Sequence, residues 1–245
     1  MTFPASRRFI SRSDVGSTNA LVVVLLGIDG AGKTTASHAL GRLLAPSTPT
    51  LVLANCSGRR TMTAWFEGTG VSVPPRLLDL AESIVRSANT VANHVRARRF
   101  DGVVIMDRHL YCQQALRTAR GLGRGRVLAA LTRVLPAPDT VVFLDVAPEE
   151  AHRRITARGT DAESLEDLRA YRDGYLSLPE YTGFHRVAAD APLLAVLDDL
   201  EDLISDLRRG AITARRIARA SGHTSLTAAR HSRGTATLTR IELNH

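Results

Sequence analysis

The chain has 245 residues, of which 44% are hydrophobic and 23% are charged, so it carries enough apolar material for one large folded domain. Two cysteines exclude a disulfide-stabilised scaffold and fit a reducing, cytoplasmic environment. The longest apolar run, Ala20–Leu26, is far shorter than a membrane-spanning helix, so we expect no membrane segment.

The positive charge is unevenly distributed along the chain. Residues 210–245 hold six arginines and one glutamate, which together supply +5 of the formal net charge of +8. The rest of the chain is nearly neutral, which does not favour nucleic-acid binding by the whole domain; contact between the basic tail and a polyanion stays open but unsupported. Of the 32 basic residues only Lys33 is a lysine, which predicts a task that a guanidinium cannot perform.

Between residues 20 and 209, short apolar segments alternate with amphipathic ones. The apolar segments predict five strands, at Leu21–Leu26, Thr50–Ala54, Val103–Met106, Thr140–Leu144 and Val187–Ala189. The amphipathic segments predict helices at Thr34–Leu44, Pro75–Arg99, Pro148–Ala157, Leu165–Leu176 and Leu193–Arg208, with a glycine-interrupted helical stretch before the fourth strand. This alternation predicts an α/β fold, with a five-stranded parallel sheet and helices on both faces.

Two terminal segments are expected to lie outside this domain. Residues 1–19 are polar, and Arg7-Arg8 faintly matches a twin-arginine export signal. The apolar run that follows leads directly into a glycine loop, however, so we interpret residues 1–19 as a flexible extension. Residues 210–245 are poor in large apolar side chains, which predicts a disordered basic tail.

The glycine-rich segment after the first predicted strand carries the clearest chemical signal. Residues 27–34 read Gly-Ile-Asp-Gly-Ala-Gly-Lys-Thr, which matches the pattern G-x-x-x-x-G-K-[ST] without a departure. Because the segment lies between a buried strand and a helix, its backbone N–H groups and the helix N-terminus can hold phosphates. The pattern assigns Lys33 to the β- and γ-phosphates of a nucleoside triphosphate and the Thr34 hydroxyl to Mg²⁺.

Asp107 and Arg108 follow the third predicted strand, at the sheet edge where ligands bind in parallel folds. A carboxylate there can hold Mg²⁺ or position an attacking oxygen, and an arginine can bind an acceptor's phosphate with two hydrogen bonds. The alternative is an ordinary ion pair at a strand end.

Arg153, Arg154 and Arg158 gather towards the end of a predicted helix. They either stabilise the helix C-terminus or belong to a lid, at about residues 152–164, whose arginines close on the transferring phosphoryl group. Because Ala31 gives the phosphate loop no charge of its own, an arginine from elsewhere would meet an electrostatic need there.

In order and spacing, these motifs resemble those of thymidylate kinases over roughly residues 20–208. The resemblance is carried by residues 27–35, 107–108, 142–151, 153–159, 171–176 and 189–191. It implies a P-loop NTPase fold, ATP and Mg²⁺ as cofactors, a nucleoside monophosphate as acceptor with dTMP foremost, and a homodimer.

The resemblance also implies roles for single residues. Asp29 contacts the sugar hydroxyl of the acceptor, Asp107 and Arg108 handle the metal and the acceptor phosphate, and Arg158 is the lid arginine. The predicted catalytic residues are Asp29, Lys33, Asp107, Arg108 and Arg158, and the metal ligands are Thr34 and Asp107. The predicted ATP-binding residues are Gly27, Asp29, Gly30, Ala31, Gly32, Lys33, Thr34, Thr35 and Arg154. The predicted acceptor-binding residues are Asp29, Arg59, Arg60, Arg108 and Gln113.

The departures from the family's pattern concern the acceptor. His109 replaces the tyrosine of the family's Asp-Arg-Tyr, whereas Gln113 is retained as a contact for the edge of the base. Leu80 takes the place of the aromatic residue that stacks on thymine, and Ile84 takes that of the arginine that contacts the base. The phosphate chemistry is therefore expected to be intact and the thymine pocket to be altered.

Three functions follow from these observations. The first is a nucleoside monophosphate kinase, and the second is a kinase for a nucleoside or a modified nucleotide in specialised metabolism. The third is a non-catalytic ATP-binding protein whose basic tail docks on a partner. The joint presence of Lys33, Thr34, Asp107, Arg108 and Arg158 argues against the third, because a protein that only binds ATP does not need the acceptor-side arginine, Arg108. Arg59 and Arg60 are read either as acceptor-phosphate ligands or as solvated loop charges.

Overall fold

The computed structural model describes residues 20–55, 75–159 and 163–213. The strands are β1 (Leu21–Leu26), β2 (Thr50–Ala54), β3 (Val103–Asp107), β4 (Thr140–Asp145) and β5 (His185–Ala188). The helices are α1 (Lys33–Leu44), α2 (Pro75–Ala97), α3 (Leu110–Ala119), α4 (Arg126–Val134), α5 (Pro148–Arg158), α6 (Leu165–Leu176) and α7 (193–213). The proposed N-terminal extension, most of the basic tail, Arg59 and Arg60 lie outside the described residues.

The five strands form one parallel sheet in the order β2-β3-β1-β4-β5, with helices on both sides. The predicted fold is therefore confirmed. Central β1 pairs with β3 so that Leu25 is opposite Asp107, and with β4 so that Leu26 is opposite Phe143. The carboxyl ends of these three strands consequently meet at one edge, where the chain leaves β1 into the glycine loop.

The central strands are apolar except at the ends of β3 and β4, because helices cover both faces of the sheet. Val23, Val24, Leu25 and Leu26 of β1 have no exposed surface, and neither do Val104, Ile105 and Met106 of β3. These continuous apolar runs allowed the central strands to be predicted from the sequence. The buried strands also anchor the loops at the edge of the sheet.

Several predicted boundaries differ from the structure, including those of β3, β5 and α7. Strand β3 includes Asp107 as its last residue, so this carboxylate is held by the sheet rather than by a loop. Strand β5 begins at His185 instead of Val187, because it is an edge strand in which only Val187 is buried. Helix α7 continues past Arg208 to at least residue 213.

The chain divides into two compact units, residues 1–197 and 198–245. The first contains the sheet and the start of α7. In the second, the described residues 198–213 are all helical. Within the described part of the chain, no helix combines the length and the apolar character that crossing a membrane requires.

Candidate active site

The glycine loop lies between the end of β1 and the start of α1, pressed against β4 and α5. A Cβ atom at Gly27 would come within 2.7 Å of the Leu144 carbonyl oxygen, and one at Gly30 within 2.6 Å of the Ala151 carbonyl oxygen. Both glycines also have positive φ, +146° and +84°, a conformation that side chains disfavour. These two positions therefore require glycine for the loop to turn back over the N-terminus of α1.

Lys33 is buried inside this loop, with only 4% of its surface exposed. Its Nζ donates hydrogen bonds to the carbonyl oxygens of Gly27, at 2.9 Å, and Ile28, at 2.7 Å. Burial lowers the pKa of the Lys33 ammonium, and Arg108 acts in the same direction, whereas Asp29 at 3.7 Å opposes the shift. The backbone carbonyl oxygens of the glycine loop thus hold the Lys33 ammonium group in place.

Thr34 and Asp107 place two oxygen groups together beside this lysine. The Thr34 hydroxyl donates to Oδ2 of Asp107 at 2.6 Å, which joins the first turn of α1 to the end of β3. Asp107 is 5% exposed, and its Oδ1 has no hydrogen-bond partner among the described residues. Hydroxyl and carboxylate oxygens are the ligands that Mg²⁺ prefers, and the buried, unpartnered Oδ1 fits such an ion.

Asp29 and Arg108 form the next ion pair, with 2.5 Å between Oδ1 of the aspartate and the guanidinium. Burial opposes ionisation of Asp29, but Lys33 and Arg108 outweigh it and hold its pKa well below the usual range. Burial likewise disfavours the charged Arg108, yet Asp29 raises its pKa further above its usual value. Both groups are therefore charged at neutral pH.

Glu163 is a member of this cluster that sequence reasoning missed. A proton on the Glu163 carboxyl group allows it to donate a hydrogen bond to Asp29, which helps to keep the pKa of that aspartate low. Glu163 precedes Ser164, the N-cap of α6, so in the sequence it resembles one of the acidic residues that commonly begin a helix. Only the three-dimensional contact distinguishes it.

Helix α6 also contacts the glycine loop through two buried tyrosines. The Tyr175 hydroxyl donates to the Gly27 carbonyl oxygen at 3.3 Å, and the hydroxyls of Tyr171 and Tyr175 lie 3.2 Å apart. Burial raises the pKa of both phenols, so they are neutral donors. The first residue of the glycine loop is thus tied to a helix about 150 positions away in sequence.

The three arginines of α5 have different environments. Arg153 is 76% exposed and pairs with Glu150, while Arg154 donates to Glu150 and to the Ala189 carbonyl oxygen at 2.9 Å. Arg158 lies exposed in the last turn of α5, and within the described part of the chain its side chain makes no hydrogen bond or ion pair. Of the three, Arg158 is the one whose guanidinium is uncommitted.

The base-contact positions are only partly described. Gln113 is buried, with its Nε2 3.5 Å from the Ser83 carbonyl oxygen of α2, and its Oε1 has no partner among the described residues. Ile84 is 60% exposed. The Leu80 side chain lies outside the described residues. The structure therefore brings Gln113 next to α2.

Two histidines next to Arg108, His94 and His109, form a hydrogen-bonded pair that the sequence analysis did not predict. His109, which follows Arg108, lies with its Nε2 3.0 Å from Nε2 of His94 on α2, and each side chain is 4% exposed. Burial lowers the pKa of His94 to about 4 and that of His109 to about 3, the latter with help from His94. Both rings are neutral at physiological pH, so one donates and the other accepts.

A cavity of about 290 Å³ lies at the carboxyl ends of β4 and β5. It is lined by Asp145, Ala147, Pro148, Arg172, Arg186, Ala188 and Asp190. Buried Asp145 accepts two hydrogen bonds from Arg172, at 2.7 and 3.0 Å, and pairs with Arg186 at 2.6 Å. None of the predicted site residues lines this cavity.

The family model for thymidylate kinase matches residues 26–200 of the chain. The chain belongs to the thymidylate kinase family. It is 32% identical over 209 residues to the probable thymidylate kinase of Pyrococcus abyssi (strain GE5 / Orsay), covering 74% of this chain and 94% of the relative. It is 31% identical over 186 residues to the thymidylate kinase of Xanthomonas campestris pv. campestris (strain B100), covering 72% of this chain and 79% of the relative. This thymidylate kinase family member is accordingly a transferase of the nucleoside monophosphate kinase class.

In this thymidylate kinase family member, the described structure brings most of the predicted phosphate-handling residues to one sheet edge. Asp29, Lys33, Thr34, Asp107 and Arg108 are joined by hydrogen bonds and ion pairs of 2.5 to 3.7 Å. Arg154 is tied to the segment after β5, and Arg158 ends α5 without a described contact to this cluster.

Proposed function

We propose that this family member transfers the γ-phosphoryl group of ATP, in the presence of Mg²⁺, to a nucleoside monophosphate, with dTMP as the foremost acceptor. The observation that carries the proposal is the convergence of Lys33, the Thr34–Asp107 pair and the Asp29–Arg108 pair at the carboxyl edge of the sheet. This arrangement supports the assignment of a donor site, a metal site and an acceptor site within one network.

On the donor side, we assign Lys33 and the loop amides to the phosphates of ATP. The ammonium is already held at the loop by the carbonyl oxygens of Gly27 and Ile28, so binding requires little rearrangement of its side chain. Thr34 and Asp107 would hold Mg²⁺, which neutralises charge on the phosphate oxygens during transfer.

On the acceptor side, we assign Arg108 to the acceptor phosphate and Asp29 to the sugar. Arg108 is charged in this half-buried position and is paired with Asp29, and a guanidinium can bind a phosphate with two parallel hydrogen bonds. Phosphoryl transfer needs positioning and charge neutralisation more than covalent chemistry, so two ordered phosphate sites supply most of the catalysis.

The acceptor itself is tested by a substrate panel. Purified protein with Mg-ATP is given dTMP, dUMP, dCMP, CMP, UMP or thymidine, and ADP production is measured against the Lys33→Ala variant as a blank. We expect turnover with dTMP at the highest kcat/KM. Ile84, which stands where the family has its base-contacting arginine, gives a specific reason to test the alternatives.

Each result of the panel has a defined meaning. A higher kcat/KM for thymidine, or for a nucleotide other than dTMP, would identify that compound as the preferred acceptor in place of dTMP. No Lys33-dependent turnover on any acceptor, with ATP still bound, would contradict the kinase proposal and favour a binding protein.

We further propose a homodimer, as the resemblance implies. Helix α2 presents an exposed apolar stripe at helical spacing, Ile84, Ala88, Val91 and Val95. A face of this kind is suited to pack against a second copy of itself. Light scattering after size exclusion is expected to give about twice the 26.5 kDa chain mass, and Val91→Glu is expected to give the monomer mass. A monomer mass for the unaltered protein would contradict the proposal.

A further inference from the structure

We propose that Asn93 and His94 of α2 are positioning residues for Arg108. The inference rests on the proposed function, in which Arg108 binds the acceptor phosphate. Neither residue belongs to any motif in the sequence, and neither contacts the phosphate loop in the described hydrogen bonds.

The backbone of Arg108 needs external support. Its φ of +74° makes it the one non-glycine residue with positive φ in the described part of the chain. Such a conformation persists only where neighbouring groups hold it. The N–H of Arg108 donates to the Leu25 carbonyl oxygen at 3.1 Å, and its own carbonyl oxygen accepts from Nδ2 of Asn55. Both backbone polar groups of Arg108 are therefore held in place.

Asn93 fixes the orientation of the Asn55 amide that holds this carbonyl. Nδ2 of Asn93 donates to Oδ1 of Asn55 at 2.8 Å and lies 3.3 Å from the Ala54 carbonyl oxygen. Because Oδ1 of Asn55 accepts from Asn93, its Nδ2 faces Arg108; a flipped amide would lose both hydrogen bonds. Asn55 and Asn93 are each 4% exposed, so water cannot readily replace either partner.

His94 holds the residue on the other side of Arg108. Its ring hydrogen-bonds to the ring of His109, which is the N-cap of α3 and lies against Tyr111 with ring centroids 4.9 Å apart. Asn93 therefore constrains the carbonyl group of Arg108 through Asn55, and the adjacent His94 constrains His109, the residue that follows Arg108. Helix α2 also contains Ser83, which Gln113 approaches, so one helix borders the predicted base contacts and orients the phosphate-binding arginine.

The test compares Asn93→Leu and His94→Leu with the wild type in steady-state kinetics. We expect KM for the acceptor to rise about 10-fold and kcat to fall about 10-fold, with KM for ATP unchanged, the scale of effect expected when a catalytic group is misplaced. His94→Gln, which can still donate to His109, is expected to restore most of the loss. The matched control is Thr90→Val, because Thr90 is similarly buried on α2 but, among the described residues, bonds only to the Arg86 carbonyl oxygen of its own helix.

A double-mutant cycle separates positioning from general destabilisation. In an Arg108→Ala background, Asn93→Leu is expected to change the acceptor KM no further. A persisting effect of full size, or an equal rise in both KM values, would overturn the proposal. If Asn93→Leu does not fold, Asn55→Asp removes the donor to Arg108 and serves in its place.

The inference can fail separately from the proposed function. If the wild type turns over no nucleotide, the kinase assignment fails, and a crystal structure of the Asn93→Leu variant then tests the positioning directly. A changed φ at Arg108 or a lost contact with Asp29 would support the inference. An Arg108 with unchanged conformation would overturn it.

Discussion

Replacement of Lys33 with alanine is expected to lower kcat for phosphoryl transfer by about 10³-fold, the scale associated with removing one cation from a transferring phosphoryl group. Lys33 is the one lysine of the chain and lies buried in the loop beside Asp29. Because Lys33 lies in the loop assigned to the phosphates, we expect the loss in kcat, and a melting temperature close to that of the wild type would show that the loss is not one of folding. Steady-state kinetics and calorimetry measure the two quantities.

Lys33→Arg is the informative companion variant. It keeps the charge, but the planar guanidinium is larger than an ammonium and cannot donate to the carbonyl oxygens of Gly27 and Ile28 in the same geometry. We expect a loss of kcat close to that of the alanine variant. Wild-type kcat in Lys33→Arg would show that charge alone is sufficient and would contradict the argument.

Chemical labelling tests the same site without mutation. An amine-reactive acylating reagent has only Lys33 and the N-terminal amine as targets, since every other basic side chain except histidine is arginine. We expect Mg-ATP to suppress acylation of Lys33, measured by peptide mass spectrometry. The N-terminal amine serves as the internal control, and equal acylation of Lys33 with and without ATP would contradict its assignment to the phosphates.

The parts of the site that could be predicted are those encoded locally. The apolar run of β1, the glycines and the Lys33-Thr34 pair are consecutive, so their spacing alone defines the loop. Asp107 could be expected at the ligand-binding edge of the sheet, because the carboxyl ends of parallel strands meet at the same edge. In each case the physical rule acts over a few residues or over a whole strand.

The parts that could not be predicted depend on pairings between distant polar residues. Arg108 and Asp29 are 79 positions apart, and Asn93 and Asn55 are 38 apart. Burial of an asparagine or a histidine leaves no periodic pattern, because hydrophobic periodicity reports only on apolar side chains. The predicted strand β5 began two residues too late for the same reason: His185 and Arg186 are exposed and polar, so they add nothing to the hydrophobic pattern.

Replacement of Arg158 with alanine is expected to lower kcat by about 10³-fold or more, the effect of an arginine that reaches the transferring phosphoryl group from outside the loop. Ala31 supplies no charge to the loop, and Lys33 and Arg108 are already engaged with loop carbonyls and Asp29. The guanidinium of Arg158 is exposed and makes no described side-chain contact, so its removal should leave the melting temperature within about 1 °C, as for surface substitutions in general.

Arg153→Ala is the matched control for this experiment. Arg153 lies on the same helix, is 76% exposed, and pairs only with Glu150 in the described structure. An exposed ion pair of this kind contributes little, so we expect kcat within about twofold of the wild type. Equal effects of the two substitutions would mean that α5 contributes general positive charge. A loss confined to Arg158→Ala, with KM for both nucleotides nearly unchanged, would identify an interaction made only in the transition state.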